Sequence, residues 1–214
     1  METRPITLNT LLISAAAAIG IEWIARIVIA QGTLPPMVVL GAARVFQIAL
    51  MVIIVRIWEK RLTCIGISQL NILAGLKKGL IWSLCFGIAT GLVFGILILF
   101  GVNGVQIFQF SEPIGNNKFV LFLCVGVVIG PIAEEIFFRG LVYGFFRQWG
   151  VSIALIVSTV LFVLPHLAGN SIPLTQVVGG LLFAIAYEVE KNLTVPIVIH
   201  CLGNLSIFSI SLVA

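Results

Sequence analysis

Residues 118–147 read KFVLFLCVGVVIGPIAEEIFFRGLVYGFFR. Between Lys118 and Arg147 the only charges are Glu134, Glu135 and Arg139. As a single helix this stretch is about 45 Å long, more than the ~30 Å hydrocarbon core of a bilayer. Pro131 sits at its middle and predicts a kink there, or two helices meeting there. A charge at the centre of a span costs about 2.5–3.5 kcal/mol. Three such residues in one run therefore need partners, water or a purpose.

Helical geometry separates the two carboxylates. Glu135 and Arg139 are four residues apart and share a face, whereas Glu134 lies about 140° around the axis from Arg139. Arg139 neutralises Glu135 locally, and one carboxylate is left over. That leftover group suits a general base or acid. The alternative is a structural one, in which Glu134 binds a polar group of another helix and glues the bundle.

The rest of the chain fixes the class. It has 214 residues, of which 60% are hydrophobic and 9% charged, with a mean hydropathy of +1.21. A soluble domain carries about 45–50% apolar and about 25% charged residues. This excludes an ordinary cytosolic enzyme, a nucleic-acid binder and a disordered chain. Seven apolar stretches run over 6–30, 36–58, 79–101, 118–147, 151–168, 172–189 and 193–213. The fold expected is all-α, a polytopic transmembrane bundle of about seven helices with room for eight. It forms one membrane-embedded domain over 1–214, with the least diagnostic helices in 1–117. The first stretch has the small-residue run of a signal peptide, Ala15 to Ala18, but is long enough to span. Residues 65–80 mix apolar side chains with Lys77 and Lys78 and read as an interfacial segment.

Twelve Lys and Arg face eight Glu and no Asp, giving a net charge of +4. With the N-terminus inside, Arg4, Arg56, Lys60, Arg61, Lys77, Lys78, Arg147 and Lys191 fall at inner ends and Lys118 alone at an outer one. The loops at 31–35 and 169–171 carry no charge. This bias predicts a cytoplasmic N-terminus and an external C-terminus. Glu22 and Arg26 are spaced as a helical pair, and Arg44 snorkels or pairs across helices. Cys64, Cys85, Cys124 and Cys201 lack any framework spacing and read as buried small hydrophobes.

Both histidines of the chain fall in apolar runs. His166 follows Phe162 by four residues, and Asn204 follows His200 by four, so each pair shares a helical face. Glu134 lies 15 residues before Trp149 and His166 lies 16 after Gly150, so both stand roughly 23–24 Å from that turn. His200 and Asn204 stand roughly 14 and 20 Å beyond Lys191. The four polar residues converge near mid-membrane, provided the three helices are neighbours.

These residues resemble the CAAX protease and bacteriocin-processing (CPBP, or Abi) family. Its signature is EExxxR, then FxxxH, then HxxxN or HxxxD on successive membrane helices. The matches are Glu134, Glu135 and Arg139; Phe162 and His166; His200 and Asn204. The resemblance covers about 118–210. It implies an intramembrane endopeptidase that hydrolyses a peptide bond of a membrane-associated protein or peptide, of the CAAX type or in bacteriocin processing. It further implies a catalytic set of Glu134, His166, His200 and Asn204, supported by Glu135, Arg139 and Phe162. Glu134 activates a water that His166 holds, while His200 and Asn204 bind the tetrahedral oxyanion. No cofactor is required. A zinc variant stays open, with Glu134, His166 and His200 as three ligands. The compact size fits a bacterial protein of the plasma membrane. Without Asp, a two-aspartate protease is impossible, and no HExxH is present. The rival readings are a non-proteolytic bacteriocin-immunity protein that binds a peptide, and a small permease.

Overall fold

The computed structural model describes residues 6–101, 119–167 and 173–213, with side chains up to 210. Arg4, Lys118 and the 169–171 loop of the charge argument lie outside the described residues. Seven helices and no strand occur among the described residues, as the hydropathy pattern predicts. They are α1 (Leu8–Ala30), α2 (Pro36–Trp58), α3 (Ile72–Leu99), α4 (Phe119–Trp149), α5 (Val151–His166), α6 (Leu174–Glu190) and α7 (Thr194–Val213). Helices α1, α2 and α4, and the helical run Leu62–Leu99 that contains α3, are long and apolar enough to cross a membrane. Large apolar side chains cover their outer faces: Trp23 on α1, Leu84 on α3 and Val120 on α4 are 65–70% exposed. In water such surface would aggregate; in a bilayer it meets acyl chains. The protein is an integral membrane protein.

Helix α1 packs on α2, α3 on α7, α5 on α6, and α6 on α7, while α4 touches α2, α5 and α7. A small knot ties the first two helices at one end. Thr7 caps α1, and Glu59 just past α2 accepts hydrogen bonds from the Thr7 amide (2.9 Å), the Thr7 hydroxyl (2.9 Å) and the Thr10 hydroxyl (2.6 Å).

The helix of 118–147 does not break at Pro131. It runs on through Trp149 as one element, and its irregularity takes another form. Wider π turns occupy Leu123–Ile129 and Ile136–Tyr143, bracketing an α segment at Gly130–Glu135. The Gly130 amide reaches back five residues to the Val125 carbonyl. Within a turn of that width a proline neither clashes with nor deprives its preceding turn as it would in a regular α ladder.

The segment 65–80 is not one continuous amphipathic element. Its first residues form two 3₁₀ turns, Leu62–Ile65 and Gln69–Asn71, and Lys77 and Lys78 already belong to α3. Ile65 is fully buried. It sits against Gly140 of α4, where an added Cβ would come within 3.1 Å of the Ile65 side chain. The Gly66 carbonyl accepts the Leu193 amide at 3.0 Å, so the loop is clipped to the turn before α7. Burying Ile65 between helices gains more than leaving it at a headgroup interface.

The pairing of Glu22 is also corrected. Its carboxylate bonds Arg44 on α2 at 3.1 Å, and Arg26 is exposed. Arg26 lies four residues before the end of α1, about 6 Å by helical rise, and can extend to the interface. Arg44 lies deeper in its helix and takes the carboxylate instead. The four cysteines are free, yet only Cys64 is fully buried; Cys85 and Cys124 face outward. On a lipid-facing surface a thiol needs no burial inside the protein.

Candidate active site

The α segment between the two π turns carries Glu134 and Glu135, adjacent in sequence and opposite in environment. Glu135 and Arg139 are both fully buried and form an ion pair of 2.8 Å, the i,i+4 pair expected from spacing. Arg139 also donates to the Gly180 carbonyl of α6 at 3.0 Å. Its guanidinium lies 4.5 Å from the Phe162 ring centre and 5.1 Å from that of Phe183. The cation is thereby held by a carboxylate, a carbonyl and two aromatic faces. Gly180 is required at this contact: a Cβ there would lie 3.1 Å from Phe162 and 3.2 Å from Thr159.

His200 of α7 joins this cluster. Its Nδ1 lies 2.8 Å from Glu135 Oε1, the same oxygen that accepts from Arg139. An ionised carboxylate oxygen can only accept, so Nδ1 carries the proton. The ring stacks on Phe183, with 4.6 Å between centroids and 22° between planes. With Nδ1 engaged, Nε2 is the nitrogen left for chemistry, and it lies 3.8 Å from Glu134 Oε2. Glu134 itself is 22% exposed.

A cavity of about 180 Å³ opens beside it, lined by Glu134, Gly126 and Pro131 of α4, Asn204 of α7, and Leu40 and Arg44 of α2. Asn204 donates from Nδ2 to the Gly126 carbonyl at 2.8 Å, in the first π turn. His166 ends α5. Its Nδ1 lies 2.8 Å from the Phe162 carbonyl, which as an acceptor fixes the proton on Nδ1. Phe162 is the hub between the two imidazoles, 5.1 Å from the His166 ring and 5.7 Å from that of His200.

Of the residues expected from sequence, Glu134, His200 and Asn204 thus meet on adjoining helices, Glu135 and Arg139 back them, and His166 joins through Phe162. Sequence reasoning missed the bond from Glu135 to His200, the aromatic wall of Phe138 and Phe183, and Arg44 in the cavity. A carboxylate already paired within its helix gave no signal of a second partner 65 residues away. Among the described residues no three His, Cys, Asp or Glu side chains converge as a metal site. Glu134, His166 and His200 are not gathered into one such group in this arrangement.

Residues 116–206 match the family of Rce1-like type II CAAX prenyl endopeptidases. The resemblance read from Glu134 to Asn204 is borne out over this stretch, which holds α4 to α7 up to residue 206. Over 95 residues the chain is 35% identical to the membrane-embedded CAAX protease MroQ of Staphylococcus aureus (strain USA300). That alignment covers 41% of this chain and 38% of the relative. No solved structure matches. Helices α1 to α3 lie outside the Rce1-like segment, although α2 contributes to its cavity.

Proposed function

We propose that this protein is a glutamate-dependent intramembrane endopeptidase acting on a membrane-associated protein or peptide. The observation that carries the reading is the pairing of two unlike carboxylates around one histidine. Glu135, neutralised by Arg139, holds His200 Nδ1, and Glu134 stands free at 3.8 Å from Nε2 on the wall of a cavity. A purely structural glutamate would be expected to be bonded and buried as Glu135 is.

In this mechanism a water in the cavity gives one proton to Glu134, and its oxygen attacks the peptide carbonyl carbon. His166, with Nδ1–H on the Phe162 carbonyl, presents the Nε2 lone pair to that water. The carbonyl oxygen becomes a tetrahedral oxyanion. Asn204 Nδ2 donates a hydrogen bond to it, and so does His200 Nε2 when both ring nitrogens carry a proton, Nδ1–H on Glu135 and Nε2–H facing the cavity. The C–N bond then breaks, and Glu134 delivers its proton to the departing amine. The products are a carboxylic acid and an amine, and Glu134 is returned ionised. No metal takes part in these steps.

The cavity draws on α2 as well as on α4 and α7, which supports one membrane-embedded unit that includes the N-terminal helices. The Lys and Arg bias supports a cytoplasmic N-terminus, and the bacterial relative supports a bacterial plasma membrane. The name of the relative supports a CAAX-type substrate over bacteriocin processing or immunity.

The test is Glu134→Gln in the full chain. It preserves size and folding but removes the base, so cleavage of a peptide library in detergent should fall by at least 10²-fold, with unchanged expression and melting temperature. A Glu134→Gln protein that cleaves like wild type sinks the mechanism. One that loses cleavage yet keeps the cellular phenotype points to a binding role instead.

A further inference from the structure

The cavity beside Glu134 contains a cation that the mechanism above does not use. Arg44 comes from α2, outside the Rce1-like segment, yet it lines the same cavity of about 180 Å³ as Glu134 and Asn204. Its guanidinium is anchored through one nitrogen. Nη1 donates to Gln47 Oε1 at 2.7 Å and to Glu22 Oε2 at 3.1 Å. Gln47 is buried and in turn donates to the Ala18 carbonyl at 3.0 Å, so the anchor is rigid. Among the described residues, Nη2 and Nε make no hydrogen bond. The side chain is 25% exposed.

A fixed guanidinium with spare N–H groups is the side chain best matched to a carboxylate, which it binds through two parallel hydrogen bonds. Its own structural partner, Glu22, engages the other end of the fork. The cavity has room for about six waters at ~30 Å³ each, which suits a short stretch of peptide better than a folded segment. Glu134 forms no ion pair with Arg44, whose counter-charge is Glu22, so the cavity holds a base and a cation that do not neutralise each other. A peptide that places its scissile carbonyl at Glu134 and Asn204 has its leaving portion free to reach Arg44.

We propose that Arg44 is a specificity-determining residue that binds a carboxylate of the peptide substrate. This rests on the protease reading for the role of the cavity, but the binding itself does not depend on cleavage. Two sources of carboxylate share this chemistry, the C-terminus of the peptide and an acidic side chain.

Binding of synthetic octapeptides to the purified full chain in lipid nanodiscs tests it. Each peptide is made as the C-terminal acid and as the amide, and a third series is amidated with one Glu moved along the sequence. Wild type should bind the acid, or the amide with a suitably placed Glu, at least tenfold more tightly than the plain amide. Which of the two restores binding assigns the source. In Arg44→Gln the preference should shrink below twofold, and Arg44→Lys should restore part of it. Glu22→Gln frees Arg44 from its counter-charge and should enlarge the preference, a gain that unfolding cannot produce. Glu134→Gln should retain it. Equal binding of carboxylate-bearing and plain amide peptides by wild type, including no binding of either, overturns the proposal even if cleavage is intact. A preference that depends on Arg44 in a protein that cleaves nothing upholds this site and refutes the protease reading.

Discussion

Replacing Glu135 by Gln removes one negative charge from a cluster that has no solvent to compensate it. Both Glu135 and Arg139 are fully buried. Breaking such a pair by neutralising one member commonly costs about 3–5 kcal/mol, because the partner cation is left without a counter-charge. The Gly180 carbonyl and the rings of Phe162 and Phe183 remain around Arg139, which places the expected loss near 3 kcal/mol, the lower end of that range. At about 2–4 °C per kcal/mol for a chain of this size, melting should fall by roughly 6–12 °C. Arg139→Gln should cost a similar amount. The double mutant should be milder than the sum by about 1–3 kcal/mol, since the two sites are coupled. Melting temperatures of the three variants in one detergent measure the cycle. Glu135→Gln should also lower cleavage in its folded fraction, because His200 Nδ1 then meets a neutral amide oxygen in place of a carboxylate. Additive losses, or a Glu135→Gln protein as stable as wild type, would refute the buried-pair argument.

Gly180→Ala should destabilise by about 1–3 kcal/mol through overpacking, since its Cβ would press on Phe162 and Thr159 beneath Arg139; a thermal melt decides, and an unchanged one contradicts the packing. Burial raises the Glu59 pKa, but hydrogen bonds from Thr10 and Thr7 outweigh it and hold the carboxyl below its ordinary value of 4.5. A depressed folded-state pKa contributes stability that is present above 4.5 and is lost as pH falls through the lower folded value. Acid should therefore loosen the α1–α2 knot, and Glu59→Gln should flatten that part of the stability–pH profile. On the glutamate-and-water mechanism proposed above, exhaustive chelation should leave cleavage intact; activity lost on chelation and restored by stoichiometric zinc would reverse that reading.

What the sequence made legible is what lies within one helix or follows from composition. The bundle was readable from seven apolar stretches, and the Glu135–Arg139 pair from a spacing of four. Phe162 and His166 were readable in the same way. Contacts between helices were not. Glu22 had a candidate four residues away in Arg26, and only the packing of α1 on α2 reveals that Arg44 takes its place. Ile65 looked like one apolar residue among many near Lys77. Its burial depends on the glycine at 140, far along the chain. Pro131 marked an irregularity, but the form it takes, a ladder widened by one residue on either side of Gly130–Glu135, depends on packing that the proline alone does not encode.

Helix α5 has a consequence for the lipid around it. From Val151 to His166 its 13 α-helical and three 3₁₀ residues rise about 24–26 Å, while a hydrocarbon core measures about 30 Å. With Val151 at one headgroup boundary, its last carbonyls, and the imidazole that ends it, stop short of the other. The bilayer must thin locally, or water must reach down to meet them. Either response delivers to the depth of Glu134 the one reactant that the proposed hydrolysis consumes and lipid excludes. Turnover should then depend on acyl-chain length, faster in thin bilayers and slower in thick ones, so that the membrane's thickness sets the supply of water to the site.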